Sequence, residues 1–84
     1  MKSVLVYTTD FCPYCTSAKS LLNKRDIPFE EINLARDPDG RGKLIEKTGM
    51  TRFPQIVIEG QTIGGFDQLL AADRAGTLKD LVAA

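Results

Sequence analysis

Two cysteines separated by two residues, Cys12-Pro13-Tyr14-Cys15, follow almost directly on an apolar stretch, and that junction limits the folds open to this chain more than any other feature. Val4, Leu5, Val6 and Tyr7 are β-branched or apolar without a polar break, the pattern of a strand buried on both faces. Thr9-Asp10-Phe11 reads as a loop. Pro13 suits the first position of a helix, where its missing N–H has no partner to lose. From Pro13 to about Arg25, the residues Cys15, Ala18, Leu21 and Leu22 recur at three- and four-residue steps and make one apolar face. Lys19, Asn23 and Lys24 fall outside it. Cys12 therefore sits at a helix N-cap, where unpaired N–H groups and the positive end of the dipole favour an anion. The thiolate is the nucleophilic form, so the Cys12 pKa is expected below the free value of about 8.5. Cys15 lies one turn on, facing inward and within reach of a mixed disulfide on Cys12.

The rest of the chain reads as follows. Pro28 to Leu34 is a second strand, with Phe29, Ile32 and Leu34 set among acids. Asp37-Pro38 starts a helix, Asp as cap and Pro at the first position, and Gly49 ends it. Pro54 to Glu59 is a third strand, Gly60-Gln61 a tight turn, and Thr62-Ile63 a short fourth strand closing a hairpin. Gly64-Gly65 interrupts the chain, Phe66-Asp67 opens a helix that ends near Gly76, and Thr77 caps a last short helix. The order is β-α-β-α-β-β-α, and its first three elements form a βαβ unit with parallel strands and a right-handed crossover. A Cys-x-x-Cys opening the helix of such a unit is the sign of a thioredoxin-like redox site.

At 84 residues the chain has room for one domain, 1–84. Lys+Arg and Asp+Glu are 11 each, a balance that argues against a nucleic-acid binder or a domain docked on anionic membrane. No apolar run exceeds four residues, too short to span a bilayer, and the first residues lack a signal-peptide core. The expected compartment is the cytoplasm, where thiols stay reduced and a permanent disulfide staple is out of place. A zinc centre needs four ligands, and the chain has two Cys and no His. A copper-chaperone site also places Cys-x-x-Cys after a first strand, but avoids Pro between the thiols. Two incidental core cysteines would not fall at a strand-to-helix junction.

Two further segments bear on the site. Pro54 can be read simply as a strand-opening proline. It can also be a cis proline beside the cysteines, leaving the Phe53 backbone open to an extended ligand. Gly64-Gly65-Phe66-Asp67 reads as a turn with Asp67 as helix cap. The same loop could bind a ligand carrying both a carboxylate and an amine, the carboxylate on helix N–H groups and the amine on Asp67.

With Cys12-Pro13-Tyr14-Cys15, Phe53-Pro54-Gln55-Ile56 and Gly64-Gly65-Phe66-Asp67 in this order and spacing, the chain resembles the glutaredoxin family over essentially its whole length. The resemblance implies an α/β thioredoxin fold, a four-stranded mixed sheet flanked by helices. It implies a monomeric glutathione-disulfide oxidoreductase that uses glutathione as co-substrate and holds no tightly bound cofactor or metal. Its partners would be glutathione and disulfide-bonded or glutathionylated proteins, including reductases such as ribonucleotide reductase. It implies catalysis by Cys12 and Cys15 through a redox-active Cys12–Cys15 disulfide. The glutathione site would comprise Tyr14, Arg41, Phe53, Pro54, Gly65, Phe66 and Asp67, with Arg41 at the glycine carboxylate. The chain departs from the family where a Lys often precedes the first cysteine; here Thr9-Asp10-Phe11 stands, with Arg52 the candidate replacement cation. Phe53 replaces a usual Val, and Phe66 likewise adds bulk on the facing loop. Two rivals share these motifs: a redoxin served by thioredoxin reductase, and a dimer bridging a [2Fe–2S] cluster through two Cys12 thiolates and two glutathiones. The acidic ligand Asp67 argues against the first, and Pro13 with the competing thiol Cys15 argues against the second.

Overall fold

The computed structural model describes residues 1–83. Its elements are β1 (Val4–Thr8), α1 (Pro13–Lys24), β2 (Glu30–Asn33), α2 (Pro38–Thr48), β3 (Gln55–Ile58), β4 (Gln61–Gly64), α3 (Phe66–Ala75) and α4 (Leu78–Val82). The strands form one mixed sheet in the order β2-β1-β3-β4. β1 runs parallel to β2, with Val6 opposite Glu31, and antiparallel to β3, with Val6 opposite Ile56. This is the four-stranded, helix-flanked sheet expected from the sequence.

Strand alternation sorts the sheet into two faces. Val4, Val6, Ile56 and Ile58 point to one face and join Ala18, Leu22, Ile27, Leu69, Leu78 and Val82 in a single buried cluster. α1, α3 and α4 supply the helical side of that core. Leu5 and Tyr7 point to the other face and are only half-buried, so β1 is not enclosed on both sides as its continuous apolar run suggests. β3 is the strand buried throughout. There Gln55, fully buried, donates to the Met50 carbonyl at 2.9 Å and accepts from the Thr48 hydroxyl at 2.9 Å. Both ends of the Gln55 amide are thus satisfied, which is what allows a polar side chain in the core.

Local chemistry accounts for most boundaries and corrects four expectations. The hairpin turn lies at Glu59-Gly60 rather than Gly60-Gln61. Both residues have positive φ, 50° and 79°, as a turn matching the strand twist requires, and Gly60 takes that geometry at no steric cost. Thr77 precedes α4 but does not cap it through its side chain. Its hydroxyl donates instead to the Ala72 carbonyl at 3.2 Å and closes the end of α3. The N-cap of α3 is Gly65, with Asp67 inside the first turn. β2 is also shorter than its apolar pattern, since Pro28 and Phe29 lie outside the ladder.

α1 is tied to β2 by a small polar network. Glu31 accepts from the Thr8 hydroxyl at 2.8 Å and from Lys19 Nζ at 3.1 Å. The Thr8 hydrogen bond, followed by Lys19, holds the Glu31 carboxyl below its usual range. A carboxylate with a lowered folded-state pKa adds stability above its unfolded value, and that stability is lost as pH falls through the folded value. Glu31→Gln should therefore melt below the parent at neutral pH, and the gap should close in acid, below about pH 4.3, in a thermal denaturation series.

Candidate functional site

The end of β1 delivers Cys12 to the start of α1. Cys12 is the N-cap in extended conformation, and its Sγ accepts from the Cys15 N–H at 3.1 Å. The two cysteines are joined in a disulfide with Cα atoms 5.2 Å apart. Cys12 is half-buried, whereas Cys15 is 2% exposed beneath it. Of the two sulfur-bearing residues, only Cys12 is open to a bulky partner.

The second wall comes from the turn before β3. The Phe53–Pro54 peptide is cis, and the Phe53 carbonyl oxygen lies 3.7 Å from Cys12 Sγ. The third wall is the start of α3. Gly64 has φ 131°, a conformation side chains rarely adopt, and a Cβ on it would lie 2.8 Å from Gln68. Gln68 Oε1 accepts from the Gly65 N–H at 2.9 Å, so that amide is already satisfied. No side chain caps the amides that follow it at the start of α3, a position where backbone N–H groups can meet an anion.

Tyr14, Arg52, Phe53, Pro54, Gly65, Phe66 and Asp67 line one groove of about 470 Å³, together with Met50 and Gln68. Tyr14 and Phe66 stack with ring centroids 6.0 Å apart and form its aromatic side. The groove pairs a cation, Arg52, with an acid and open helix amides at Asp67, around a backbone edge at Phe53. Such a lining suits a short extended peptide with charged ends. Arg41 is placed elsewhere: its guanidinium donates to the carbonyls of Leu34 (2.5 Å) and Ala35 (2.8 Å) and is not part of this lining. Arg52 is the groove's cation instead. Sequence reading missed Met50 and Gln68. Gln68 did leave a signal, a Gln three residues after a glycine at a helix start, the spacing of a capping box. Met50 left none. Among the described residues, no group of three or more His, Cys, Asp or Glu is arranged to hold a metal.

The family model for glutaredoxin matches residues 4–63. A glutaredoxin of Pseudomonas aeruginosa is 44% identical over 84 residues, the full length of both chains. Glutaredoxin 3 of Escherichia coli K12 is 40% identical over 82 residues, covering 98% of this chain and 99% of that protein. The chain belongs to the glutaredoxin family.

Solved glutaredoxins carry the same fold. The solution structure of glutaredoxin from Brucella melitensis superposes with a TM-score of 0.87 at 39% identity, covering 98% of this chain and 89% of that one. The crystal structure of a buckwheat glutaredoxin–glutathione complex superposes with a TM-score of 0.88 at 27% identity, covering 96% and 76%. Family and fold support a thiol–disulfide oxidoreductase built on the Cys12–Cys15 pair. Among the described residues, no helix is long and apolar enough to cross a membrane.

Proposed function

We propose that this glutaredoxin reduces protein disulfides and glutathione mixed disulfides with glutathione as its electron source. One observation carries this: the groove whose Phe53 carbonyl lies 3.7 Å from Cys12 Sγ offers Arg52 to a carboxylate, the Phe53 backbone to a peptide edge, and Asp67 with the α3 amides to an α-amino acid head group. Glutathione has each of these features in that kind of succession. Its complex with the buckwheat relative, of the same fold, adds support.

In the reduced protein the Cys15 N–H and the start of α1 face the Cys12 thiolate. Cys12 attacks a glutathionylated substrate at the glutathione sulfur. A Cys12–glutathione disulfide forms, and the substrate thiolate leaves with the electron pair. A second glutathione then attacks that disulfide and releases oxidised glutathione, so Cys15 takes no part. With a protein disulfide, Cys12 forms a mixed disulfide with the protein. Cys15 then attacks Cys12 Sγ, the protein leaves as a dithiol, and the Cys12–Cys15 disulfide remains for two glutathiones to reduce. Glutaredoxins as a class sit at about −200 to −230 mV, within reach of the glutathione pool. Reductases such as ribonucleotide reductase, whose turnover leaves a disulfide, are fitting acceptors on family grounds.

The test is turnover of a small glutathione mixed disulfide coupled to glutathione reductase, against reduction of the oxidised protein by thioredoxin reductase. Glutathione-coupled turnover is expected. Reduction by thioredoxin reductase alone would overturn the reading. Asp67→Asn and Arg52→Gln should each raise the KM for glutathione by about fivefold with kcat little changed, because exposed charge-assisted contacts to the ligand are worth about 1 kcal/mol each.

A further inference from the structure

A second cleft opens on the other side of the cysteine pair. It has a volume of about 570 Å³, and its lining includes Asp10, Phe11, Cys12, Cys15, Lys19 and Glu31. Both cysteines line it, whereas neither lines the Tyr14–Asp67 groove. A polypeptide disulfide substrate has to keep its chain beside Cys12 while Cys15 resolves the mixed disulfide. This cleft lies directly beside Cys12, to whose sulfur such a chain would be joined.

Its charges point to a partner. Lys19 Nζ lies 3.1 Å from both oxygens of Glu31, and these two cancel. Asp10 is left over. Its Oδ1 accepts from the neutral Asn33 amide at 3.1 Å. Its cationic contact, Arg36, stands off at 3.8 Å with its side chain 90% exposed, a pairing of little strength in water. Next to Asp10, Phe11 is fully exposed, held outward by a backbone φ of 54°. An acid beside an open aromatic face suits arginine, whose guanidinium pairs with carboxylates and stacks on rings.

We infer that this cleft docks the polypeptide half of a disulfide substrate and favours one with arginine beside its reacting cysteine. The inference deepens the proposed function and rests on it. The dithiol step balances without a further reagent. Cys12 thiolate attacks one sulfur of the polypeptide disulfide, and the other leaves as thiolate. Cys15 thiolate then attacks Cys12 Sγ, and the second polypeptide sulfur leaves, two electrons having passed from the cysteine pair to the substrate.

The test uses two cyclic disulfide peptides that differ only in Arg or Glu beside one cysteine. Each rate is divided by the rate with a small synthetic dithiol, which removes intrinsic differences in reactivity. The quantity read is the Arg-to-Glu ratio, in which any effect of charge on Cys12 itself cancels. The parent is expected to show a ratio of roughly three to ten that shrinks with added salt. Asp10→Asn should lower it, Asp10→Lys should bring it to one or below, and Phe11→Ala should reduce it in part. A parent ratio of one, or a ratio that Asp10→Lys leaves unchanged, overturns the inference. Turnover of a small glutathione mixed disulfide, run alongside, judges the glutathione chemistry separately.

Discussion

Cys12→Ser is expected to lose turnover of every disulfide substrate, by roughly 10³-fold or more, as removal of a nucleophile does. Cys15→Ser should separate the two reactions. It is expected to keep turnover of glutathione mixed disulfides, where glutathione resolves the intermediate, and to lose catalytic reduction of protein disulfides. The trapped species would then appear by mass spectrometry as substrate bound through Cys12. The reason is the burial asymmetry: in the proposed scheme Cys15, 2% exposed, serves only to attack a sulfur already on Cys12. Alkylation of reduced Cys15→Ser against pH should report a Cys12 pKa below about 8.5, as a thiolate facing helix-start amides requires. Full activity in Cys12→Ser would end the scheme.

Leu69→Ala carries the largest expected cost in stability. Leu69 is fully buried in α3 and belongs to the core cluster with Ile56, Ile58, Leu22 and Leu78. Truncating such a side chain costs about 2–5 kcal/mol, through lost burial and the cavity left behind. Against a total of about 5–15 kcal/mol for a typical native protein, that is a large fraction. The denaturation midpoint should fall with an unchanged slope. Because α3 presents Gly65, Phe66 and Asp67, affinity for glutathione should weaken along with stability. An unchanged midpoint would show that the site collapses around the gap.

Much of this was legible in the residues, for reasons that differ by element. α1 and α2 were readable because each begins with a cap followed by proline, Cys12-Pro13 and Asp37-Pro38, and the structure places both helices there. β1 was readable from its run of Val and Leu, but its half-open second face was not, since that depends on what the rest of the chain packs against it. The hairpin turn slipped by one residue because Glu59, not a residue that favours positive φ, is forced into it by the ladder on either side. Tertiary bonds hid the rest. The burial of Gln55 is intelligible only once Thr48 and Met50 are seen beside it. Arg41 lies against the end of β2 because backbone carbonyls take its guanidinium, which no local pattern announces. The cleft beside Cys15 joins the cysteine motif to the loop after β1, the first turns of α1 and β2, and no local pattern announces that joining.

α1 is held at both ends. Cys15, Ala18 and Leu22 fix it to the core, and just past its last turn Arg25 clasps Asp73 of α3 at 2.7 and 3.1 Å. A rod anchored in this way gives a reduction event little room to spread. Amide hydrogen exchange of the dithiol and disulfide forms should then differ around residues 9–15 and coincide along the remainder of the helix, which would make this protein a nearly silent carrier: its partners would read its redox state from the sulfur itself rather than from any change of shape.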